Sequence, residues 1–194
     1  MRVIAGDLKG RRIHAPGHTH TRPTSDRVRE ALFSSLTARL GTDLGGAQVL
    51  DAFAGTGALG IEALSRGASS ATFVESDRAA LAALRRSIET LGLESRARIV
   101  ANDVFRVAHT GRIGDGPYSL LFLDPPYRIN KSEVTALVVE LGERGVLASD
   151  SIVVWEYGAG DPPEWPPGFE VVHTRRYGST AVDVAMMSAG EGTM

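Results

Sequence analysis

Asp124-Pro125-Pro126-Tyr127 places a carboxylate, a rigid backbone carbonyl and an aromatic ring in four consecutive positions. The tetrapeptide follows the apolar run Ser119-Leu120-Leu121-Phe122-Leu123, which reads as a short buried strand. Two prolines cannot continue a ladder, so the chain turns where the strand ends. In open α/β sheets that carboxyl edge is where ligands bind. A planar ring with an exocyclic amine suits the group: it stacks on the tyrosine while the carboxylate and the carbonyl accept its amino hydrogens. The same residues also suit an ordinary surface turn, where Asp and Pro are common.

A second constellation is Asp51-Ala52-Phe53-Ala54-Gly55-Thr56-Gly57-Ala58-Leu59-Gly60, a G-x-G-x-x-G turn between a strand and a helix. Glu75 ends the next strand 20 residues after Gly55. Such glycines let a nucleoside approach the backbone, and the acid can accept both ribose hydroxyls. Nicotinamide enzymes use the same pattern. Asp51 favours S-adenosylmethionine instead, because a carboxylate there repels a pyrophosphate and attracts an ammonium group. Asn102-Asp103 follows the third strand, where it could accept from an adenine amino group or cap a helix.

The elements that must hold these residues alternate. Strands are expected at Gln48–Ala52, Ala71–Glu75, Arg98–Ala101, Ser119–Asp124 and Ile152–Glu156, with helices at Leu59–Ser65, Asp77-capped to Leu91, and Glu133–Arg144. Repeated β-α units imply a parallel sheet covered on both faces. A Pro-rich link, 161–168, leads to a hairpin of Glu170–Arg176 and Ala181–Met187 around Gly178, adding antiparallel pairing at the end. Ahead of this lie a short hairpin (Arg2 to Ala5 with Arg11 to Ala15), a polar turn-rich stretch, 16–23, and a helix capped by Thr24 and running to about Leu40. Its buried face is Val28, Leu32, Leu36 and Leu40, with Arg27, Glu30 and Ser34 pointing elsewhere. The expected organisation is a basic extension over 1–40, a catalytic domain over 41–188 and a flexible tail over 189–194.

Composition narrows the class. At 194 residues with 43% hydrophobic content, the chain suits one domain with an appendage. It has no cysteine, which excludes disulfides, thiolate metal sites and cysteine nucleophiles. No run approaches the ~20 apolar residues of a membrane span, and Met1 to Ala5 shows no signal-peptide pattern; the cytoplasm is the expected compartment. Residues 1–40 hold eight basic side chains against three acidic ones, and the remainder 13 against 20. A basic arm on an acidic body suits a polyanion, although a solvated arginine-rich surface has the same composition. His14, His18 and His20 lack carboxylate or cysteine partners in ligand spacing, so no metal site is expected. Trp155 and Trp165 read as packing residues.

The order of these motifs resembles the amino-directed Rossmann-like methyltransferases. Longer words sharpen the likeness: Arg2-Val3-Ile4-Ala5-Gly6 with Lys9-Gly10-Arg11, Arg22-Pro23-Thr24 through Arg27-Val28-Arg29-Glu30-Ala31-Leu32-Phe33, and Gly60-Ile61-Glu62-Ala63-Leu64-Ser65-Arg66-Gly67-Ala68. Together they resemble the RsmD-type 16S ribosomal RNA guanine-N2 methyltransferases from Arg2 to about Thr180. The resemblance implies a seven-stranded, mainly parallel sheet with an antiparallel C-terminal strand. It also implies a monomer that methylates one guanine in the small ribosomal subunit or its assembly intermediate. The implied catalytic residues are Asp124, Pro125 and Tyr127. The cofactor residues are Asp51, Phe53, Gly55, Gly57, Glu75, Asn102, Asp103 and Asp124, and the RNA contacts are Lys9, Arg11, Arg12, Arg22, Thr24, Arg27 and Arg29. Rival assignments are a DNA or RNA adenine-N6 methyltransferase, which also uses Asp-Pro-Pro-Tyr, and a protein-glutamine methyltransferase, whose motif begins with Asn. An RNA-binding assembly factor with a vestigial pocket and a nicotinamide oxidoreductase complete the set.

Overall fold

The computed structural model describes residues 1–17, 26–114 and 116–188, apart from 41–43. The expected cap at Thr24, the RNA contact at Arg22, most of the polar stretch and the tail over 189–194 lie outside these residues.

Seven strands form one sheet: β1 (Gln48–Asp51), β2 (Ser70–Glu75), β3 (Ala97–Ala101), β4 (Tyr118–Leu123), β5 (Leu147–Gly158), β6 (Phe169–Tyr177) and β7 (Thr180–Met187). Their order is β3-β2-β1-β4-β5-β7-β6. The first five pair in parallel, whereas β7 runs antiparallel to both β5 and β6. β1 and β4 are neighbours although two other strands separate them in the chain. That reversal of strand order is the switch point at which open sheets leave a crevice.

Helices cover both faces. Those in the described residues are α1 (Asp26–Leu40), α2 (Ala58–Ser65), α3 (Arg78–Leu91), α4 (Val104–His109) and α5 (Lys131–Glu143). One core joins α1, α2 and α3 to one face of the sheet, through residues such as Leu32, Phe33, Leu36, Ile61, Leu84, Phe122 and Val154. The other joins α4 and α5 to the opposite face through Val107, Leu121, Val138, Val153 and Trp155. α3 shows why such elements form. Asp77 accepts from the Ala80 amide at 2.8 Å as the N-cap, and Leu81, Leu84, Ile88 and Leu91 are buried. Arg78, Arg85, Arg86 and Glu89 face solvent. α4 is an element that periodicity does not reveal, since six residues give less than two helical turns of pattern.

The N-terminal hairpin pairs through one antiparallel bridge, Arg2 to Arg12, and leans on α2 and α3 as well. Within it the Val3 amide donates to the Arg11 carbonyl, the Gly10 amide to the Val3 carbonyl and the Ile13 amide to the Met1 carbonyl. Buried Glu62 accepts from the Ile4 and Ala5 amides at 2.8 and 3.0 Å. The Ser65 hydroxyl donates to the Ala5 carbonyl and accepts from the Leu8 amide. Gly6 has φ +80°, and a Cβ there would lie 1.8 Å from the Ser65 carbonyl oxygen, so only glycine fits this crossing. All eight residues of α2 are consequently buried, between the sheet and the arm. Val3, Ile13, Val28 and Phe33 share a single core with the catalytic part of the chain.

Arg29 corrects the expected RNA surface. It is fully buried, bonds the Arg2 carbonyl and Asp26, and lies 3.7 Å from Glu62. On α1 its position beside Val28 turns it inward, where it neutralises a buried acid rather than meeting a phosphate. Val28, Leu32 and Leu36 are buried and Arg27, Glu30 and Ser34 exposed, as the four-residue spacing predicts.

Candidate active site

Register assembles the site. Asp51, the last residue of β1, stands opposite Phe73 of β2 and Phe122 of β4. Glu75 and Asp124 each lie two residues further along those neighbours, at the same sheet edge. Three carboxylates from three adjacent strands therefore stand together at one sheet edge, close enough for Glu75 and Asp124 to act on Asp51. The turn between β1 and α2 is fastened across it, with the Ala52 amide donating to the Phe122 carbonyl and the Ala54 amide to the Val74 carbonyl. Gly60 permits the close helix–sheet contact, since a Cβ there would meet Phe73 Cε1 at 2.3 Å.

Asp51 is buried and accepts from the Gly60 amide at 3.0 Å. Burial, reinforced by the Asp124 and Glu75 charges, pushes its carboxyl up from 3.8 to about 7 despite that bond. No cation is paired with it among the described residues. Glu75 is held by three backbone amides: Gly55 on one oxygen, and Ser76 and Asp77 on the other, each at 2.7 Å. A carboxylate offers about four acceptor positions, so the amides aim this one and leave it little spare capacity. Gly55 has open space where a side chain would stand, which leaves its backbone accessible.

Asn102 accepts from the Asp103 amide at 2.9 Å, and Asp103 caps α4 by accepting from the Arg106 amide at 3.1 Å. One Asp103 oxygen is thus committed to the cap. α4 brings Phe105 against Phe53, edge to face at 6.0 Å between centroids, and both are half-buried. Phe105 went unnoticed in the sequence; the signal was an aromatic two residues beyond Asp103, where an adenine needs an apolar wall.

On the other side of Asp51, Asp124 and Pro125 are half-buried while Tyr127 is 78% exposed. A Cβ on Gly158, at the end of β5, would come within 3.9 Å of Tyr127 Cε1, so the ring stands over that strand end. The wall behind it is braced. Asp183 on β7, buried, accepts from Tyr157 at 2.8 Å, Trp165 at 3.0 Å and Thr174 at 2.6 Å. Trp165 packs edge-on against buried Trp155 at 5.5 Å. Lys131, at the start of α5, pairs with Asp161 and lies over the Tyr157 ring. Asp183 gave no sequence signal beyond a lone acid in an apolar strand.

Lys9, Arg11, Arg12 and Arg27 are exposed. Arg11 also donates to the Thr90 carbonyl in the last turn of α3 at 2.9 Å, where a cation is favoured by the helix dipole. No group of three or more metal-ligand side chains that could hold an ion occurs among the described residues.

The family model described as "Conserved hypothetical protein 95" matches residues 1–186. The "Ribosomal RNA small subunit methyltransferase D" of Escherichia coli (strain K12) is 39% identical over 156 residues, 80% of this chain and 74% of its own length. The chain belongs to this RsmD family of methyltransferases. The YlbH protein of Bacillus subtilis (strain 168) is 36% identical over 185 residues, 95% of this chain and 97% of its own. The solved yhhF structure from Escherichia coli superposes with a TM-score of 0.81 at 31% identity, covering 97% of this chain and 98% of that one.

The RsmD-type enzyme uses S-adenosylmethionine, and the residues present fit it. The buried, unpaired carboxylate at Asp51 and the acidic rim around it suit a ligand bearing positive charge and no phosphate. The apolar pair Phe53 and Phe105 suits an adenine, and the accessible Gly55 backbone suits the nucleoside.

Proposed function

We propose that the chain methylates the exocyclic N2 of one guanine in 16S ribosomal RNA of the small ribosomal subunit or its assembly intermediate, acting in the cytoplasm as a monomer. The observation that carries this reading is Tyr127. It is a large, exposed aromatic ring three residues after Asp124, at the sheet edge where Asp51 and Glu75 end their strands. Relatives named for ribosomal RNA of the small subunit support the substrate class.

The cofactor supplies an electrophilic methyl group on a sulfonium. Everything else is positioning by the chain's own residues. A guanine amino nitrogen is a poor nucleophile because its lone pair is delocalised into the ring. Asp124 and the Pro125 carbonyl accept its two hydrogens, which turns the lone pair toward the methyl and stabilises positive charge developing on nitrogen. Prior deprotonation is not required. Carboxylates, with a reference pKa of roughly 4, are too weak as bases for an aromatic amine, and the proton leaves once the nitrogen has become acidic. Tyr127 stacks on the base, which has to leave any helix to reach the crevice. Asp51, Phe53, Gly55, Gly57, Glu75, Asn102 and Asp103 hold the cofactor. Lys9, Arg11, Arg12 and Arg27 grip phosphates, giving orientation rather than sequence choice; Arg22 and Thr24 belong to the same proposal.

The test is methyl transfer from labelled S-adenosylmethionine to unmodified small subunits, with duplex DNA in parallel and nucleoside mass spectrometry of the products. N2-methylguanosine from subunits is expected. N6-methyladenosine from DNA overturns the substrate assignment while keeping the pocket, and no product despite cofactor binding points to a missing substrate or to an assembly factor.

A further inference from the structure

The division into a basic arm and an acidic body, read from composition, does not survive packing. The arm's second segment runs along α3: Arg11 donates to the Thr90 carbonyl at 2.9 Å, and the His14 amide donates to the Ser87 hydroxyl at 2.9 Å. Arg86 is the residue before Ser87, so it is brought beside the arm. The His14 imidazole registers the result. Its pKa is lowered first by burial, then by Arg86, Arg12 and the N-terminal ammonium. Two stretches 73 to 79 residues apart in sequence thus build one positive field, part of it from the portion of the chain whose total charge is acidic.

We propose that the RNA-binding surface continues from the hairpin onto α3, with Arg85 and Arg86 joining Arg11 and Arg12 in contacting backbone phosphates. This extension rests on the ribosomal RNA reading above. Both arginines are exposed, and neither makes an ion pair or side-chain hydrogen bond among the described residues. α3 offers a single carboxylate, Glu89, against Arg78, Arg85 and Arg86. Guanidinium groups on a rigid helix, with no partner among the described residues to give up, meet phosphates at little reorganisation cost. Since Arg11 is anchored to the α3 backbone, helix and hairpin present their cations as one unit. The field is then a fixed surface rather than a flexible tail, which suits a folded RNA of definite shape.

The experiment compares the full chain with its Arg85→Ala/Arg86→Ala variant in methylation of small subunits across a salt series. An Arg112→Ala/Arg144→Ala variant, altered on the elements of the opposite face, serves as the charge-matched control. The α3 variant is expected to raise KM at least five-fold. It should also flatten the log–log salt dependence by between about one and two, with kcat, S-adenosylmethionine affinity and thermal unfolding unchanged. Unchanged KM and slope in the α3 variant, with the parent chain active on subunits, overturn the extension alone. An equal loss in the control variant overturns it too, since bulk charge then suffices. Failure of the parent chain to methylate subunits overturns the substrate reading, and this extension with it.

Discussion

Replacing Asp51 by asparagine should stabilise the protein and weaken cofactor binding, both in a pH-dependent way. The carboxyl is buried and pushed up from 3.8 to about 7. Between those two values the folded state holds a proton that the unfolded chain has released. Stability is therefore highest at low pH and is lost as pH rises through that interval, levelling off above 7. The full gap corresponds to about 4 kcal/mol, and the part falling between pH 5 and pH 8 to roughly 2–3 kcal/mol. Asparagine keeps an oxygen for the Gly60 amide and has nothing to titrate. Urea denaturation of both proteins should show the advantage of Asp51→Asn growing by roughly 2–3 kcal/mol from pH 5 to pH 8, and taking the difference cancels every other titrating group. Calorimetry should show the opposite for function. S-adenosylmethionine affinity of the parent chain falls as pH drops through 7, approaching tenfold per pH unit, with about one proton released on binding below 7. The variant should bind weakly, without pH dependence and without proton release. A stability difference that stays flat across this range, or a variant less stable at pH 8, refutes the reasoning.

Asp124→Ala should lower single-turnover transfer by about 10²–10³-fold while calorimetric cofactor affinity stays within a few-fold, because its proposed role is to accept from the amine rather than to hold the nucleoside; a collapse of cofactor affinity contradicts that division. Tyr127→Ala should leave stability within about 0.5 kcal/mol, as expected for an exposed side chain, yet lower kcat/KM roughly 5- to 150-fold from lost stacking, with Tyr127→Phe near the parent value. Glu62→Ala removes the acid that Arg29 and Arg66 surround and should cost about 3–5 kcal/mol in denaturation. Hydrogen exchange at the Ile4 and Ala5 amides should then report release of the arm.

The sheet was legible because its strands are short apolar runs bounded by turn residues, and the site was legible because strand ends carry its acids. Asp51, Glu75 and Asp124 could be placed on one edge from strand order alone, since parallel pairing brings consecutive carboxyl ends together. What stayed hidden depends on contacts between distant segments. Arg29 looks like one more cation of a basic arm; only the packing of α1 against α2 shows that it answers Glu62, 33 positions away in sequence. Arg85 and Arg86 look like part of an acidic body until Arg11 and His14 are seen to lie on α3. Asp103 was read both as a ligand acceptor and as a helix cap. The cap is observed, but α4 is too short for periodicity to announce it. Asp183 has no local signature, because its three donors come from β5, β6 and the Pro-rich link.

Glu62 and Asp51 lie 11 residues apart on consecutive elements, both essentially inaccessible to water, and the fold treats them in opposite ways. Glu62 is compensated in full: two backbone amides, Arg66 at 2.7 Å and Arg29 at 3.7 Å. Asp51 receives one amide and faces two like charges. Burying an uncompensated carboxylate is costly enough that the group gives up its charge instead. The chain demonstrably can pair a buried acid within the same helix–strand unit, so the missing countercharge at Asp51 is not a packing failure. On the proposed reading a cationic ligand supplies it. Glu62 fastens the N-terminal arm by accepting from the Ile4 and Ala5 amides. Asp51, pushed up to about 7, is instead close to half-protonated at neutral pH, and on the proposed reading it ionises when a sulfonium-bearing, ammonium-bearing molecule binds. The ligand then brings the countercharge that the fold withholds, so on that reading an acid-rimmed sheet edge holds a small cation with its methyl group toward the base proposed to stack on Tyr127.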